Sequence, residues 1–381
     1  MKILHTSDWH LGHQLYGYDR REEQLEMLRQ MAEIVRTESP DVFLLCGDVF
    51  HVAQPSAEVQ KMFVAALTEL RSENPDMLIV VTAGNHDSGS RHEIFRIPWK
   101  SMGVEAIGTL RRDSPHSHIV EVPGKGYIVA VPYTSGRYIP DGFLQELLDE
   151  VKKRNVDGLP VVMMAHTTVQ GASFQGHDDV WEFTVGGIEG IEPEKLGTGY
   201  DYLALGHIHH QQFVRGAAKR MRYSGSPLAV SFSEDYPHSV SIVEIDAHED
   251  EPRVKTIEIV NPIPLVTLPI EGAADWPTAV GLLKDFPDDR PAYIRLNVEV
   301  EDFLPVGASE EAFAIARDKK CRFCGINHHR KREAAFREKA LSVQEFKETP
   351  PIEIARQFFE EDGGRFDEDL ADMFNEVMKS L

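Results

Sequence analysis

The amino-acid sequence predicts an α/β fold, in which two packed β-sheets flanked by helices are followed by a small α/β cap and a C-terminal pair of helices. Apolar runs of four or five residues have the composition of buried strands, and Leu78–Thr82 is the clearest of them. Amphipathic segments of helical length lie between these runs. A chain of 381 residues is long for one simple core, so more than one unit is expected.

Strands and helices alternate through the first part of the chain. Ser56 is suited to cap a helix that ends at Glu73, because its hydroxyl can accept a hydrogen bond from the first turn. A glycine-rich stretch over 170–199 is long for a loop and is typical of functional or mobile segments. The predicted strands span 2–6, 42–47, 78–82, 127–132, 161–165 and 202–205, and the predicted helices span 22–37, 56–73 and 141–153. Three further runs are expected to form the second sheet, which packs face to face with the first: 221–231, 239–245 and 254–260.

Two proline pairs predict domain boundaries. Pro262 and Pro264 separate a first domain over 1–262 from a cap over 263–348. The cap is expected to contain strands over 265–270 and 293–300 and helices over 278–284 and 310–318. Pro350 and Pro351 precede a segment over 349–381, with helices over 352–361 and 367–381. Two such short helices do not form a core alone, so they need a surface to cover their apolar side chains.

Five of the predicted strands end in side chains that bind metals. The carboxyl ends of strands in open α/β sheets are where ligands bind. Glycine, asparagine and aspartate are also ordinary turn formers, but turns alone account poorly for five such strand ends. In chain order the side chains are Asp8, His10, Asp48, Asn85, His86, Asp87, His166, His207 and His209.

The chain resembles the calcineurin-like metallophosphoesterases in the order of its motifs: Asp-X-His, Gly-Asp, Gly-Asn-His-Asp, a single His and Gly-His-X-His. Its segments 1–12, 47–50, 204–209 and 223–228 are similar to those of the nuclease subunits of bacterial SbcCD complexes. The resemblance is strong over the first two-thirds of the chain and architectural beyond it.

The resemblance implies a site with two divalent metal ions, which together hold both the attacking and the leaving oxygen of a phosphoryl displacement. Mixed imidazole and carboxylate ligands suit Mn²⁺, with Mg²⁺, Fe and Zn²⁺ as other occupants. One ion would be bound by Asp8, His10, Asp48 and His209, and the other by Asp48, Asn85, His166 and His207. His86 would protonate the leaving oxygen or stabilise charge, Asp87 would orient its ring, and His51 would position the phosphate.

The resemblance also implies what the protein acts on and what it assembles with. The expected activity is that of a DNA exonuclease, with 3'-5' polarity, and a single-strand endonuclease, acting on DNA ends and hairpins in replication, recombination and repair. The expected partners are a coiled-coil ATPase of the SbcC type and a second copy of the chain. Most of the apolar face of the helix over 56–73 is expected to pack on the sheet, and the resemblance implies that part of this helix and the segment 94–102 would form the homodimer contact. Either the ATPase or the cap of this chain would cover the C-terminal apolar side chains Phe358, Phe359, Leu370, Phe374 and Val377.

The net charge of the chain is −22, because 62 acidic residues exceed 40 basic ones. Proteins that bind the phosphate backbone are usually basic, so this charge favours an alternative function: a stand-alone phosphatase or phosphodiesterase on nucleotides or phosphoproteins. Bound metal ions or a basic partner would offset it. One stretch is basic, since 317–333 has seven basic and two acidic residues, and its Arg330, Lys331 and Arg332 are predicted to contact DNA.

Cysteine content and hydropathy predict a cytoplasmic protein. The chain has three cysteines and no apolar run as long as a membrane span, and its N-terminus lacks a signal segment. Cys321 and Cys324, followed by His328 and His329, allow two interpretations: a zinc site, or a basic loop or strand with two reduced thiols. The histidine spacing departs from that of zinc sites, which favours a basic loop or strand with reduced thiols.

Overall fold

The computed structural model describes residues 1–134, 138–174 and 190–330, together with eight positions between 352 and 374. Its elements follow the predicted alternation of strands and helices. In chain order they are β1 (Lys2–Thr6), β2 (Gln14–Leu15), β3 (Tyr18–Asp19), α1 (Arg21–Glu38), β4 (Val42–Cys46), α2 (Ala57–Glu73), β5 (Leu78–Thr82), α3 (Gly89–Lys100), β6 (Val104–Ile107), β7 (Ile119–Val122), β8 (Gly126–Val131), α4 (Phe143–Arg154), β9 (Val161–His166), β10 (Tyr202–Gly206), β11 (Gln212–Phe213), β12 (Met221–Tyr223), β13 (Ser239–Glu244), β14 (Arg253–Glu258), β15 (Leu265–Leu268), α5 (Trp276–Asp285), β16 (Ala292–Val300), α6 (Ala308–Ala316) and β17 (Cys321–Arg330).

The first sheet has six strands in the order β14-β13-β1-β4-β5-β6. Strands β1, β4, β5 and β6 are parallel, so the carboxyl ends of β1, β4 and β5 lie side by side. Helices α1, α2 and α3 cover the outer face of this sheet, where Met31, Phe63 and Trp99 pack on Phe43 and Val81. The Ser56 hydroxyl accepts a hydrogen bond from the Val59 amide at 3.3 Å, which confirms the predicted cap of α2.

The second sheet also has six strands, in the order β11-β12-β10-β9-β8-β7, and it packs on the first. Ile3 and Leu44 of the first sheet share one apolar cluster with Ile128, Met164 and Ala204 of the second. Helix α4 covers the outer face of the second sheet. The predicted fold class, two packed sheets flanked by helices, is thereby confirmed.

The predicted composition of the second sheet is wrong in part. The runs 239–245 and 254–260 form β13 and β14, which extend the first sheet because β13 pairs antiparallel with β1, with Ile3 opposite Val243. The run 221–231 contributes only the three residues of β12, since Gly225 and Pro227 follow closely. Alternation of apolar residues predicts strands, but it does not identify the partner of each strand.

The cap contains a three-stranded parallel sheet, β15-β16-β17, with α5 and α6 packed on it. Cys321 lies in the apolar cluster of the cap, whereas Cys324 lies in a second cluster with Phe232 and Tyr293. Both thiols are free, and the metal-ligand groups found among the described residues do not include them. The Cys321–Cys324 segment is therefore a buried part of β17, and the structure does not support the zinc interpretation.

The eight described C-terminal positions include Leu370 and Phe374, which are helical and half-buried. Phe366 is buried, and the Arg356 guanidinium lies 5.3 Å from the centre of its ring. Phe358, Phe359 and Val377 lie outside the described residues. Among the helices of the described part, none is long and apolar enough to cross a membrane.

Candidate metal centre

The candidate site lies where strands of both sheets end together. Gly47 follows β4 and Gly206 ends β10, and a Cβ on either residue would overlap the opposite sheet. The Cβ of Gly47 would meet the ring of His166, and that of Gly206 would meet the Cys46 carbonyl. The absence of a Cβ at these positions lets the ligand-bearing ends of the two sheets approach each other closely.

Four of the predicted ligands adopt left-handed backbone conformations. The φ angles of Asp8, His10, Asp48 and His207 are 55°, 43°, 49° and 102°. Such conformations cost roughly 1–3 kcal/mol each in non-glycine residues and persist only where the surroundings hold them. Main-chain hydrogen bonds hold two of them: the Asp8 amide donates to the Gly47 carbonyl at 3.0 Å and the His10 amide to the Asp48 carbonyl at 3.1 Å. The chain thus turns sharply after each strand and directs polar side chains into the gap between the sheets.

One side of the site is formed by two imidazoles and two carboxylates. Nε2 of His10 lies 3.1 Å from Nε2 of His209 and 3.8 Å from Oδ2 of Asp48. Asp8, His10 and His209 each offer one ligand atom, and these atoms lie within 4.8 Å of one another. The structure therefore brings together the four residues predicted to bind one ion.

The other side is formed by an amide and two imidazoles around the same carboxylate. Nε2 of His166 lies 3.4 Å from Oδ2 of Asp48 and 2.9 Å from Oδ1 of Asn85. Nδ1 of His207 lies 3.0 Å from the same oxygen of Asn85. Asp48 stands between the two sides, so one carboxylate is in position to be shared by two ions.

The charges of the site are those of a cation-binding centre. Burial raises the pKa of Asp8, whereas the histidines around Asp48, led by His166, outweigh burial and hold the pKa of that carboxyl below its usual range. Burial also lowers the pKa of His166 and His209, but carboxylates outweigh it, chiefly Asp48 for His166 and Glu234 for His209. The pKa of each ring rises to about 9. The described ion pairs of Asp8 and Asp48 are with histidines, so carboxylates and imidazoles that can bind divalent metal ions are buried together. The donor set fits such ions.

His51 and His86 lie beside this cluster. The His86 amide donates to Oδ1 of Asp48 at 2.9 Å, and Nδ1 of His86 lies 2.9 Å from the His51 carbonyl oxygen. The rings of His51 and His86 stack with centroids 5.6 Å apart. Together with His10 they form a further group of ligand atoms within 4.8 Å. Burial lowers the pKa of His51 to about 4, with the neighbouring His86 adding to the shift, so a neutral His51 faces the site.

Asp87 makes contacts other than those predicted for it. Its carboxylate accepts hydrogen bonds from the amides of Gly84, Val49 and Phe50, at 2.8, 3.1 and 3.0 Å. Asp87 joins the loop after β5 to the loop after β4, because both loops present amides to one buried carboxylate. The role predicted for it in orienting the ring of His86 stays a prediction.

Three groups that support the ligands were missing from the sequence-based prediction. Oε1 of the buried Glu234 lies 2.7 Å from Nδ1 of His209. The Cys46 carbonyl oxygen lies 2.8 Å from Nδ1 of His166, and the Ser7 hydroxyl donates to Asp8 at 2.5 Å. Such partners orient ligating side chains. The sequence carries no signal for Glu234, which lies 25 residues after His209 in an irregular loop.

Two further histidines, His5 and His13, have different surroundings. His5 is buried between the sheets, where its ring contacts the Tyr202 hydroxyl at 2.9 Å and a main-chain carbonyl, as expected of a structural residue. His13 lies next to the site, with its ring centroid 4.6 Å from that of His51. Arg20 donates to Nδ1 of His13 at 3.3 Å, so that nitrogen is an acceptor.

Of the predicted DNA contacts, the structure describes Arg330. Arg330 is exposed at the end of β17, with its guanidinium 5.7 Å from the centre of the Phe303 ring. Lys331 and Arg332 lie outside the described residues.

Comparison with known proteins gives matches over most of the chain. Residues 1–211 match the family described as calcineurin-like phosphoesterase. The SbcD subunit of the nuclease SbcCD from Bacillus subtilis is 33% identical over 327 residues, which cover 80% of this chain and 80% of that protein. Its counterpart from Rhodobacter capsulatus is 31% identical over 310 residues, covering 74% of this chain and 75% of its own. That of Escherichia coli is 26% identical over 330 residues, covering 80% and 79%.

Proposed function

The chain belongs to the calcineurin-like phosphoesterase family as a metal-dependent nuclease of the SbcD kind, and we propose that it hydrolyses DNA phosphodiesters with two divalent ions, Mn²⁺ first among them. The observation that carries the proposal is the convergence of six ligand side chains around the shared Asp48, at the common end of two sheets. The alternative of a stand-alone phosphatase rested on the net charge of −22, and the nuclease relatives do not favour it.

In this proposal the residues around Asp48 have two tasks. Asp8, His10 and His209 would hold one ion and Asn85, His166 and His207 the other, with Asp48 shared between them. Bound divalent ions supply charge stabilisation and hold the attacking and leaving oxygens of an in-line displacement. The neutral amide of Asn85 limits the negative charge of the ligand set, which leaves the site attractive to a phosphate.

His86 and His51 would act on the substrate. The main chain of His86 is fixed by Asp48, and its Nδ1 faces the His51 carbonyl, so the opposite ring nitrogen, Nε2, is the atom that can reach a leaving oxygen. Proton donation from this atom is the role we propose for it. His51, stacked on His86, would position the phosphate, and Asp87 would act by joining the loop that presents Asn85 and His86 to the loop after β4.

A cleavage assay with the purified full chain tests the function. We expect Mn²⁺-dependent degradation of linear duplex and hairpin DNA and hydrolysis of a small diester such as bis-p-nitrophenyl phosphate. Asp48→Asn should abolish both activities and lower the bound manganese, because both ions share that carboxylate. Hydrolysis of phosphomonoesters without cleavage of DNA would refute the nuclease assignment for this chain. Full manganese content in the inactive variant would refute the shared ligand.

We further propose that the chain has three functional parts: a nuclease domain over 1–262, a cap over 263–348 and a partner-binding segment over 349–381. The basic end of β17 would contact the DNA backbone through Arg330, Lys331 and Arg332, since Arg330 is exposed there. Replacing all three by Ala should weaken DNA binding and flatten its salt dependence, because fewer counterions are released. Hydrolysis of the small diester should be unchanged. An unaltered salt slope in a filter-binding titration would show that DNA binds elsewhere.

The proposed assembly contains two copies of this chain and a coiled-coil ATPase of the SbcC kind. The relatives are named as subunits of SbcCD, which supports a complex of this type. Apolar side chains exposed on α2 and α3, among them Val64, Ile94 and Ile97, support the second copy as a partner.

A further inference from the structure

Glu234 connects His209, a predicted metal ligand, to the residues that directly precede Glu234 in the chain. Its side chain is buried, with one carboxylate oxygen 2.7 Å from Nδ1 of His209 and the other accepting the Val230 amide at 3.0 Å. An ionised carboxylate only accepts hydrogen bonds, so Nδ1 of His209 carries a proton. Nε2, which faces His10 at 3.1 Å, is then the nitrogen left for a metal ion.

The loop that carries Glu234 is held by residues outside the site. Arg20, buried between the nuclease domain and the cap, donates to the Ala229 carbonyl. Arg295 on strand β16 of the cap donates to the Phe232 carbonyl at 3.4 Å, and its guanidinium lies 4.9 Å from the centre of the Phe232 ring. Phe232 is itself buried, in the apolar cluster that also contains Tyr293 of β16. A single residue separates Phe232 from Glu234. The cap therefore holds Phe232 at one end of a very short segment, and Glu234 at its other end contacts His209.

We propose that Glu234 is a positioning residue for His209, and that Arg295 of the cap controls this positioning by holding Phe232. The affinity of the site for one of its two divalent cations thereby depends on how the cap packs against the nuclease domain. The inference rests on the proposed two-metal function and assigns to the cap a second task beside DNA contact.

The structure predicts a graded effect on one metal site. Removing the outer partner of a ligating histidine lowers metal affinity by about 10–100-fold, so Glu234→Ala should weaken the ion bound by His209 by that amount. Glu234→Gln retains an oxygen that can accept from Nδ1 and should recover part of the loss. Arg295→Met keeps the apolar stem of the side chain but removes the hydrogen bond to the Phe232 carbonyl and the cation over the Phe232 ring. Loss of these contacts should lower the metal affinity of the same site by roughly 2–10-fold.

The experiment is a manganese titration of the metal-free full chain by calorimetry, with stoichiometry checked by elemental analysis. The control is Arg290→Met, which removes another arginine of the cap that lies over an aromatic ring, 5.7 Å from the centre of Phe286 and on no part of the 229–234 loop. We expect two Mn²⁺ sites in all variants, with one weakened in Glu234→Ala and Arg295→Met and unchanged in Arg290→Met. At saturating Mn²⁺, the rate of small-diester hydrolysis by Arg295→Met should return to that of the unmodified chain.

The possible failures are distinguishable. Equal manganese affinities in Arg295→Met and the unmodified chain would overturn the role of the cap. Equal affinities in Glu234→Gln, Glu234→Ala and the unmodified chain would overturn the positioning role of Glu234. If Glu234→Ala does not fold, the manganese affinities of Glu234→Gln and Arg295→Met decide whether the proposal holds. An unmodified chain that binds fewer than two Mn²⁺ ions, or binds them without cleaving the diester, would instead refute the proposed function.

Discussion

At the scale of single residues, the proposed site assigns some side chains to the metal ions and others to the substrate. Asp48 contacts both His10 and His166, whereas His86 is joined to Asp48 through its main-chain amide. The main chain of His86 is therefore fixed by the carboxylate of Asp48, a predicted metal ligand, and the ring of His86 need not be a ligand itself. Metal binding and proton transfer should accordingly respond to different substitutions.

His86→Ala tests this separation. The variant should keep its fold and both manganese ions, because the amide that donates to Asp48 remains. It should lose turnover by roughly 10²–10⁴-fold, the usual contribution of a general acid or base. Elemental analysis and small-diester kinetics measure the two quantities. His116→Ala is the matched control, since His116 is exposed and lies beside Glu150 of α4, and it should change neither. A fall in manganese content of His86→Ala would make His86 a ligand.

At the scale of secondary-structure elements, helices α2 and α3 divide their apolar residues between two surfaces. Phe63, Leu67 and Leu70 of α2 are buried and pack on the first sheet, as the simpler interpretation of this helix predicted. Ile94 and Ile97 of α3 are 71% and 84% exposed, which is unusual for two isoleucines on one helix. Packing on the sheet therefore explains the buried face of α2, while the exposed side chains of α3 are available to a second copy.

Ile97→Asp should convert a dimer of this chain into a monomer, because a carboxylate at the centre of an apolar interface is costly to bury. Light scattering during size-exclusion chromatography measures the mass. Val156→Asp is the matched control, since Val156 is 85% exposed on the loop after α4 and lies in the opposite layer. The proposed interface would be wrong if both variants had the mass of the unmodified chain.

At the scale of the whole molecule, the proposed nuclease domain and cap contact each other beside the candidate metal centre. The Tyr18 hydroxyl donates to the Phe323 carbonyl of the cap at 3.0 Å, and the buried Arg20 lies 5.8 Å from the ring centre of Tyr293. The C-terminal segment differs from both parts, because its acidic residues are interspersed with phenylalanines. Such a composition suits a helix pair that docks on an apolar, partly basic surface of a partner.

Deleting residues 350–381 tests whether the C-terminal segment docks on the partner or packs against this chain. The truncated protein should fold, keep its manganese and cleave the small diester, but it should no longer co-purify with the ATPase or show ATP-dependent digestion of duplex DNA. The buried Phe366, with Arg356 over its ring, is the feature that favours contact within the chain. A large drop in melting temperature or aggregation on truncation would support that contact and contradict docking on the partner.

The sequence by itself determined the local features of this protein. Each predicted ligand follows directly on an apolar run, so neighbouring residues reveal both the strand and the polar group at its end. The Ser56 cap and the alternation of strands and helices are local features too, because each depends on residues that are close together in the sequence. The order of the motifs, through the family resemblance it carries, assigned residues as distant as Asp8 and His207 to one site, although β1 and β10 belong to different sheets.

Only the tertiary structure decided the contacts between residues that no local pattern connects. These include the antiparallel pairing of β13 with β1, the three amides on Asp87, and the separation of Cys321 from Cys324 in two apolar clusters. Glu234 belongs here too, because an acidic residue in an irregular loop looks like any solvated one until the fold buries it against His209. Strand pairing and burial are set by the packing of the whole chain, and a sequence pattern reports only the preferences of neighbouring residues.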